Sequence, residues 1–362
     1  MKPIFRVLGP RALGVAFLVG VACVGWTLQA AAQDKPTFAG KTITATVGFE
    51  AGNRVDLFAR LLGQPMMRYL PGQPNLVVLN RPGAGGVVAL NDWNAKAETN
   101  GVAITVGGQT QIDMDALSRM QARYQPATFK YVGGLVAPSQ GLIINKAAVA
   151  RLHDKSAAPV TMGIVGSTLR TGYYQVLWGA AFLDWNVKWV RGYKSTGEVR
   201  NALERGEIDM SAFGSTTDLE YLLNLSKFTV ASQSGAIIDG KMVSRPMFGD
   251  APTISALVRG KIKDPVAQKA FAYSEKVIQV GMWVALPAGT PDTVVAIYVQ
   301  AFDKAINDPE FKEPWAKIDP DSPVASKADL ENLIRDLGTV PPDALKFIRD
   351  ELRRQGADVS EQ

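Results

Sequence analysis

Residues 75–97 read NLVVLNRPGAGGVVALNDWNAKA, and this stretch decides the fold. Residues 75–79 are a short apolar run rich in valine and leucine, closed by turn residues, which predicts a buried strand. Arg-Pro-Gly-Ala-Gly-Gly at 81–86 supplies the turn. Residues 88–97 then predict a helix. Upstream, residues 42–49 (TITATVGF) read as another buried strand. Val55, Phe58, Leu61 and Leu62 mark one face of a helix over 55–70, in which Pro65 is expected to force a kink or break. A strand at 102–106 follows. Strands alternating with helices predict parallel pairing, with helices on the sheet faces: an α/β protein.

The middle of the chain repeats the alternation. Strands are expected at 159–165, 187–190, 208–213 and 228–232, with helices at 172–183, 195–206 and 218–225. Ser195 and Glu198 form a capping box. Asp264 and Pro265 open another helix with the cap and first-turn proline in their preferred places. Residues 282–286 (MWVAL) are the last clear strand. Thr290 is expected to cap a helix opened by Pro291, whose core face is Val294, Val295, Tyr298 and Phe302. The remainder reads as helical, with a polar tail from Gly356.

Composition narrows the chemistry. Lys2, Arg6 and Arg11 precede an apolar run over 13–24 and the small residues Ala30, Ala31 and Ala32. That order reads as an export signal over residues 1–32, and the run is short for a span of roughly 20 residues. An uncleaved anchor is the alternative reading. Lipid attachment at Cys23 would call for a large aliphatic residue three positions earlier, where Gly20 stands. Without the segment, the formal charge falls from +5 to +2, and no basic run remains to track a phosphate backbone. Nucleic acid is therefore not an expected partner. Cys23 is the sole cysteine and His153 the sole histidine. A disulfide framework, a thiol nucleophile and an ordinary zinc site are excluded for the remaining chain. His153 reads as a surface residue ending a short helix.

Three glycine-rich loops follow predicted strands: residues 50–56 (EAGNRVD), 81–86 (RPGAGG) and 107–110 (GGQT). In an open α/β sheet, ligands sit beyond the carboxyl ends of the strands. Glycine lets backbone N–H groups approach a solute, and helix N-termini favour negative charge. The three loops together make a seat for a carboxylate. Each alone reads better as a tight strand-to-helix turn, and it is the three together that favour a ligand. Arg54 and Arg81 are candidates for charge-assisted bonds to an anion, or solvated surface residues. Asp56 suits a dipole partner in the first turn of its helix. No nucleophile elbow, Walker loop or dinucleotide fingerprint is present, so no cofactor is expected. Asp113 and Asp115 stand two residues apart at a helix start and would not face each other. These absences argue against an enzyme.

An ordered set of motifs resembles one family. RLL at 60–62, PGQPNLVV at 71–78 and NRPGAGG at 80–86 are followed by GYKST at 192–196 and LERGEID at 203–209. GDAPT at 249–253, WVALPAGTP at 283–291 and AINDPE at 305–310 complete it. This series is similar to the solute receptors of tripartite tricarboxylate transporters, the Bug family. The resemblance implies a two-lobed periplasmic binding protein of type II topology with the ligand cleft between lobes. Residues 34–136 and 281–362 would form one lobe and 137–280 the other, with crossovers near Val136 and Gly281. It implies a monomeric periplasmic receptor that captures a small organic acid and delivers it to membrane permease subunits. An orphan sensor with a membrane signalling partner is the alternative, and a periplasmic enzyme a remoter one.

The implied ligand contacts lie at Phe49, Gly52, Asn53, Arg54 and Asp56, and at Gly83, Ala84, Gly85 and Gly86; Gln109 and Thr110 join them from the third glycine loop. The second lobe would add Ser167, Thr168, Tyr193, Phe213 and Gly214. The first loop departs from the family pattern, because Glu50 places an acid where an uncharged residue is usual and Arg54 a compensating base. That change opens the site to a ligand carrying a positive group, or to a larger acid.

Overall fold

The computed structural model describes residues 36–357, apart from 139, 166–170, 239–240 and 321. The export-signal reading of residues 1–32, Cys23 and the candidates Ser167 and Thr168 therefore lie outside the described residues. The chain begins with β1 (Thr42–Val47), α1 (Arg54–Tyr69), β2 (Asn75–Asn80), α2 (Val87–Lys96), β3 (Ala103–Gly107), α3 (Met114–Arg119) and β4 (Lys130–Val136). It continues through β5 (Gly141–Asn145), β6 (Val160–Val165), α4 (Thr171–Phe182), β7 (Val187–Tyr193), α5 (Thr196–Arg205), β8 (Met210–Phe213), α6 (Thr216–Asn224) and β9 (Phe228–Gln233). A small ribbon, β10 (Ala236–Ile238) and β11 (Lys241–Val243), precedes α7 (Ile254–Val258) and α8 (Pro265–Val277). The return comprises β12 (Val280–Leu286), α9 (Asp292–Ala305), α10 (Pro309–Ala316), β13 (Val324–Ser326), α11 (Lys327–Gly338) and α12 (Pro342–Arg354).

Two sheets result. One has the order β13-β4-β12-β3-β1-β2 and the other β7-β6-β8-β5-β9. Each holds three parallel strands in the sequence second, first, third, followed by an inserted antiparallel strand: β12 beside β3 and β5 beside β8. This repeated order is the type II arrangement. Uniformly parallel pairing does not hold. β12 re-enters the first sheet from the far side, so it runs against both β3 and β4.

Local chemistry explains most element ends. Asn53 caps α1 by accepting from the Val55 N–H at 3.0 Å, and Asp264 caps α8 by accepting from the Ala267 N–H at 2.7 Å. The Ser195 hydroxyl accepts from the Glu198 N–H, and the Glu198 carboxylate accepts from the Lys194 N–H. Gly206 ends α5 in the left-handed region, at φ 75°. Two expectations fail. α1 continues through Pro65 as one helix of 16 residues, with the proline ring buried against neighbouring elements. Thr290 does not cap α9; its N–H closes a turn onto the Pro287 carbonyl, its side chain faces inward, and Pro291 takes the cap position. His153 ends a short 3-10 turn and is exposed, its ring edge-on to Trp185.

The largest hydrophobic cluster runs through both sheets. It joins Tyr131 and Trp283 of the first to Leu142, Met162 and Met210 of the second, through Trp178 on α4, Phe271 on α8 and Ile348 on α12. Separate clusters lie behind each sheet, around Phe58, Phe302 and Trp315 on one side and Ile143, Leu203 and Phe213 on the other.

Candidate functional site

The order of the first sheet puts its switch point at β1, since the chain leaves to β2 on one side and returns as β3 on the other. The segments after β1, β2 and β3 are the three glycine loops, and they meet. A Cβ placed on Gly48 would lie 2.4 Å from the Cα of Gly86. One on Gly85 would lie 2.5 Å from the Thr110 methyl, and one on Gly86 2.6 Å from Nε2 of Gln111. Only glycine allows this approach. Gly83, Gly85 and Gly86 also have positive φ, at 145°, 59° and 93°, and Ala84 joins them at 44°.

Two amide side chains tie the loops together, Gln111 fully buried and Asn80 half-buried, and neither is among the ligand contacts the sequence implies. Asn80 donates to the Phe49 carbonyl at 3.0 Å and to Asp56 at 2.9 Å, and it accepts from Arg60. Gln111 accepts from the Gly108 N–H at 2.9 Å and donates to the Gly86 carbonyl at 3.4 Å. Asn80 stands at the end of a strand and Gln111 directly follows the third loop. Asn80 also opens the NRPGAGG motif at 80–86, whereas position is the only signal for Gln111. The third loop is further fixed from behind: Trp283 donates to the Gly108 carbonyl at 3.2 Å and Tyr124 to the Gln111 carbonyl at 3.0 Å.

The individual candidates separate into groups. Asp56 is buried at the base of the first loop, where it accepts from the Gly52 N–H, Arg60 and Asn80. Burial acts to raise its pKa, but the bonds from Arg60, Gly52 and Asn80 outweigh it and hold the carboxyl below its usual range. It shapes the loop from within. Asn53 is engaged as the α1 cap, and Glu50 is exposed at the rim. Arg54 turns away to pair with the buried Asp319, its guanidinium 5.7 Å from the centre of the Trp315 ring. Arg81 pairs with Asp92 on α2. Phe49 is half-buried, with its ring edge beside Gly108.

On the second sheet, Tyr193 is half-buried at the end of β7, and burial raises its pKa. The Phe213 side chain is a core residue at 1% exposure, so only its backbone and that of Gly214 reach the strand end. α6 begins there, capped by Ser215, and the Thr217 hydroxyl reaches the Lys317 carbonyl, between α10 and Asp319, at 3.4 Å.

A separate buried node sits behind the third loop. Asp113 caps α3 and accepts from Tyr174 on α4 at 3.0 Å and Tyr273 on α8 at 2.7 Å. Asp115 pairs with Arg119 at 2.8 Å and with Arg349 of α12 at 3.5 Å. Burial, resisted by Arg119 and reinforced by Asp113, pushes the Asp115 carboxyl up to about 6. Among the described residues no group of three or more His, Cys, Asp or Glu side chains is placed to hold a metal ion. No helix among them is long and apolar enough to cross a membrane.

No family model matches the chain. A curated relative, the UPF0065 protein in the tcbD-tcbE intergenic region of Pseudomonas sp. (strain P51), is 32% identical over 108 residues. That match covers 30% of this chain and only 31% of the relative's length. Solved structures match along most of the chain. The periplasmic binding protein BugD is 20% identical with a TM-score of 0.60, covering 88% of this chain and 98% of its own. An R. palustris protein solved with adipate is 19% identical with a TM-score of 0.60, covering 87% and 97%. MatC from Rhodopseudomonas palustris, with bound malate, is 20% identical with a TM-score of 0.54, covering 88% and 99%. The chain has the fold of these solved proteins, BugD among them.

Proposed function

We propose that the chain is a solute receptor of the Bug type, which captures a small organic acid outside the cytoplasm and presents it to the membrane subunits of a tripartite tricarboxylate transporter. The observation that carries this reading is the meeting of three glycine loops at the carboxyl ends of β1, β2 and β3. Such a cradle offers backbone N–H groups to an anion without needing a free cation. The nearest candidate cations, Arg54 and Arg81, already hold carboxylate partners. Relatives in fold solved with malate and adipate favour the same ligand class.

In this reading residues 34–136 and 281–362 form one lobe and 137–280 the other. The ligand lies between the loops of the first sheet and the segment comprising Ser167, Thr168, Tyr193 and Gly214 of the second. Residues 1–32 direct export, and the receptor works as a monomer without turning its ligand over. Residues 33–362, purified and screened by thermal shift against malate, adipate, citrate, acidic amino acids and aromatic acids, should melt higher with at least one acid. The shift should grow with concentration. Stabilisation by a sugar or a cationic amine, with no response to any acid, would overturn the proposal.

A further inference from the structure

We propose that Gln111 is the positioning residue of this site, and that its buried amide sets the spacing between the second and third glycine loops. The inference rests on the carboxylate reading above for its functional meaning, but its structural content stands apart from it. Gln111 is fully buried. Its Oε1 accepts from the Gly108 N–H at 2.9 Å, while Nε2 donates to the Gly86 carbonyl at 3.4 Å. The same Nε2 would lie 2.9 Å from a Cβ on Gly48 and 2.6 Å from one on Gly86. One planar group thus fills the space between Gly48, just after β1, and the second and third loops.

The two ends of the amide are not interchangeable. Gly108 offers a donor and Gly86 an acceptor, so the bridging group must supply one acceptor and one donor in fixed order. Its own backbone is held from behind, because Tyr124 donates to the Gln111 carbonyl at 3.0 Å. The Gln111 N–H points to the Gly108 carbonyl at 3.3 Å, closing a reciprocal pair between these two residues. The Gly83–Gly86 turn, a run of positive-φ residues, closes on itself where the Gly86 N–H donates to the Gly83 carbonyl at 2.8 Å; it packs on the Thr110 methyl at Gly85, and Nε2 of Gln111 supplies its hydrogen bond from the end of the third loop. A carboxylate bridging N–H groups of the second and third loops requires their separation to be set before it arrives, since ordering them on binding would subtract from affinity.

Two variants separate this role from general packing. Gln111→Met keeps the volume and removes both bonds. Gln111→Glu keeps the acceptor for Gly108 and replaces the donor to Gly86 with a second acceptor. Hydrogen exchange of the ligand-free full chain, followed by mass spectrometry, reads the loops directly. Gln111→Met should speed exchange about tenfold in both segments 83–88 and 108–112. Gln111→Glu should speed it in 83–88 while 108–112 stays protected. β1 to β3 should be unchanged in both. Unchanged exchange at 83–88 in both variants, or a uniform increase throughout the first sheet, overturns the proposal. Affinity is measured by calorimetry with adipate and malate as probes. Gln111→Met should bind at least tenfold more weakly than wild type at a temperature where both are fully folded, and equal affinity would overturn the positioning role. If wild type binds no acid of the panel above while the exchange pattern appears as stated, the carboxylate reading falls and the coupling of the loops stands.

Discussion

Arg54 and Asp319 form an ion pair whose carboxylate is completely buried and whose guanidinium lies over the Trp315 ring. The pair joins the first turn of α1 to the segment after α10, across 265 residues of sequence. Ser322 donates to the same carboxylate. Arg54 therefore fastens the rim of the site to its own sheet.

Replacing Arg54 with alanine leaves the Asp319 carboxylate buried with its hydroxyl partner alone. Loss of one member of a buried pair costs about 3 kcal/mol, and urea denaturation should record a loss of that order. Adipate or malate affinity should change by less than the stability does. Arg54→Ala combined with Asp319→Ala should recover part of the loss. A tenfold drop in affinity with unaltered unfolding would instead place the guanidinium on the ligand.

Gly86 and Gly52 offer a matched comparison, since both have positive φ, at 93° and 81°. Alanine at either position meets a similar backbone penalty of roughly 1–2 kcal/mol. Around Gly52 there is open space, whereas a Cβ on Gly86 would lie 2.6 Å from Nε2 and 2.8 Å from Cδ of Gln111. Gly86→Ala should be the more destabilising by about 1–3 kcal/mol, and should weaken ligand binding where Gly52→Ala does so slightly. Equal midpoints for the two variants in denaturant would contradict the close approach of the loops.

Asp115 predicts a particular dependence of stability on pH. Its folded pKa, about 6, lies above the unfolded value near 4. The native state then holds more protons than the unfolded chain between those values, so this group lowers stability as pH rises from about 4 to about 6. Above that window the cost is constant, and below it the cost is absent. Asp56 acts in the opposite sense, with stability that is lost as pH falls below about 4. Asp115→Asn should flatten the change between pH 4 and 6 in urea midpoints. An unaltered profile would assign that dependence to other groups.

The alternation of strands and helices was readable because apolar periodicity and turn residues are local properties. The glycine loops were readable for the same reason: three turns after three strands needed residues that only glycine supplies. The direction of β12 was not, because it depends on the chain returning from the second sheet. Arg54 could be named as a candidate, but its partner lies 265 residues away and nothing local marks Asp319. Phe213 was placed correctly at a strand end, yet strand alternation turns its side chain into the core behind the sheet. Gln111 escaped notice because glutamine at a loop end has no pattern of its own, and its role comes from what it touches.

The cluster that runs through both sheets has a consequence for synthesis. Ile348 and Leu352 of α12 belong to it, Phe347 stacks on Trp178 of α4, and Gln355 donates to the Leu177 carbonyl. A nascent chain that has already made every strand of both sheets still lacks the helix that covers α4 and α8. The molecule cannot close its central core until α12 has been translated. Stalling or truncation shortly before α12 would leave the aromatic surface of Trp178 and Phe271 bare to water, and open to association with other unfinished chains.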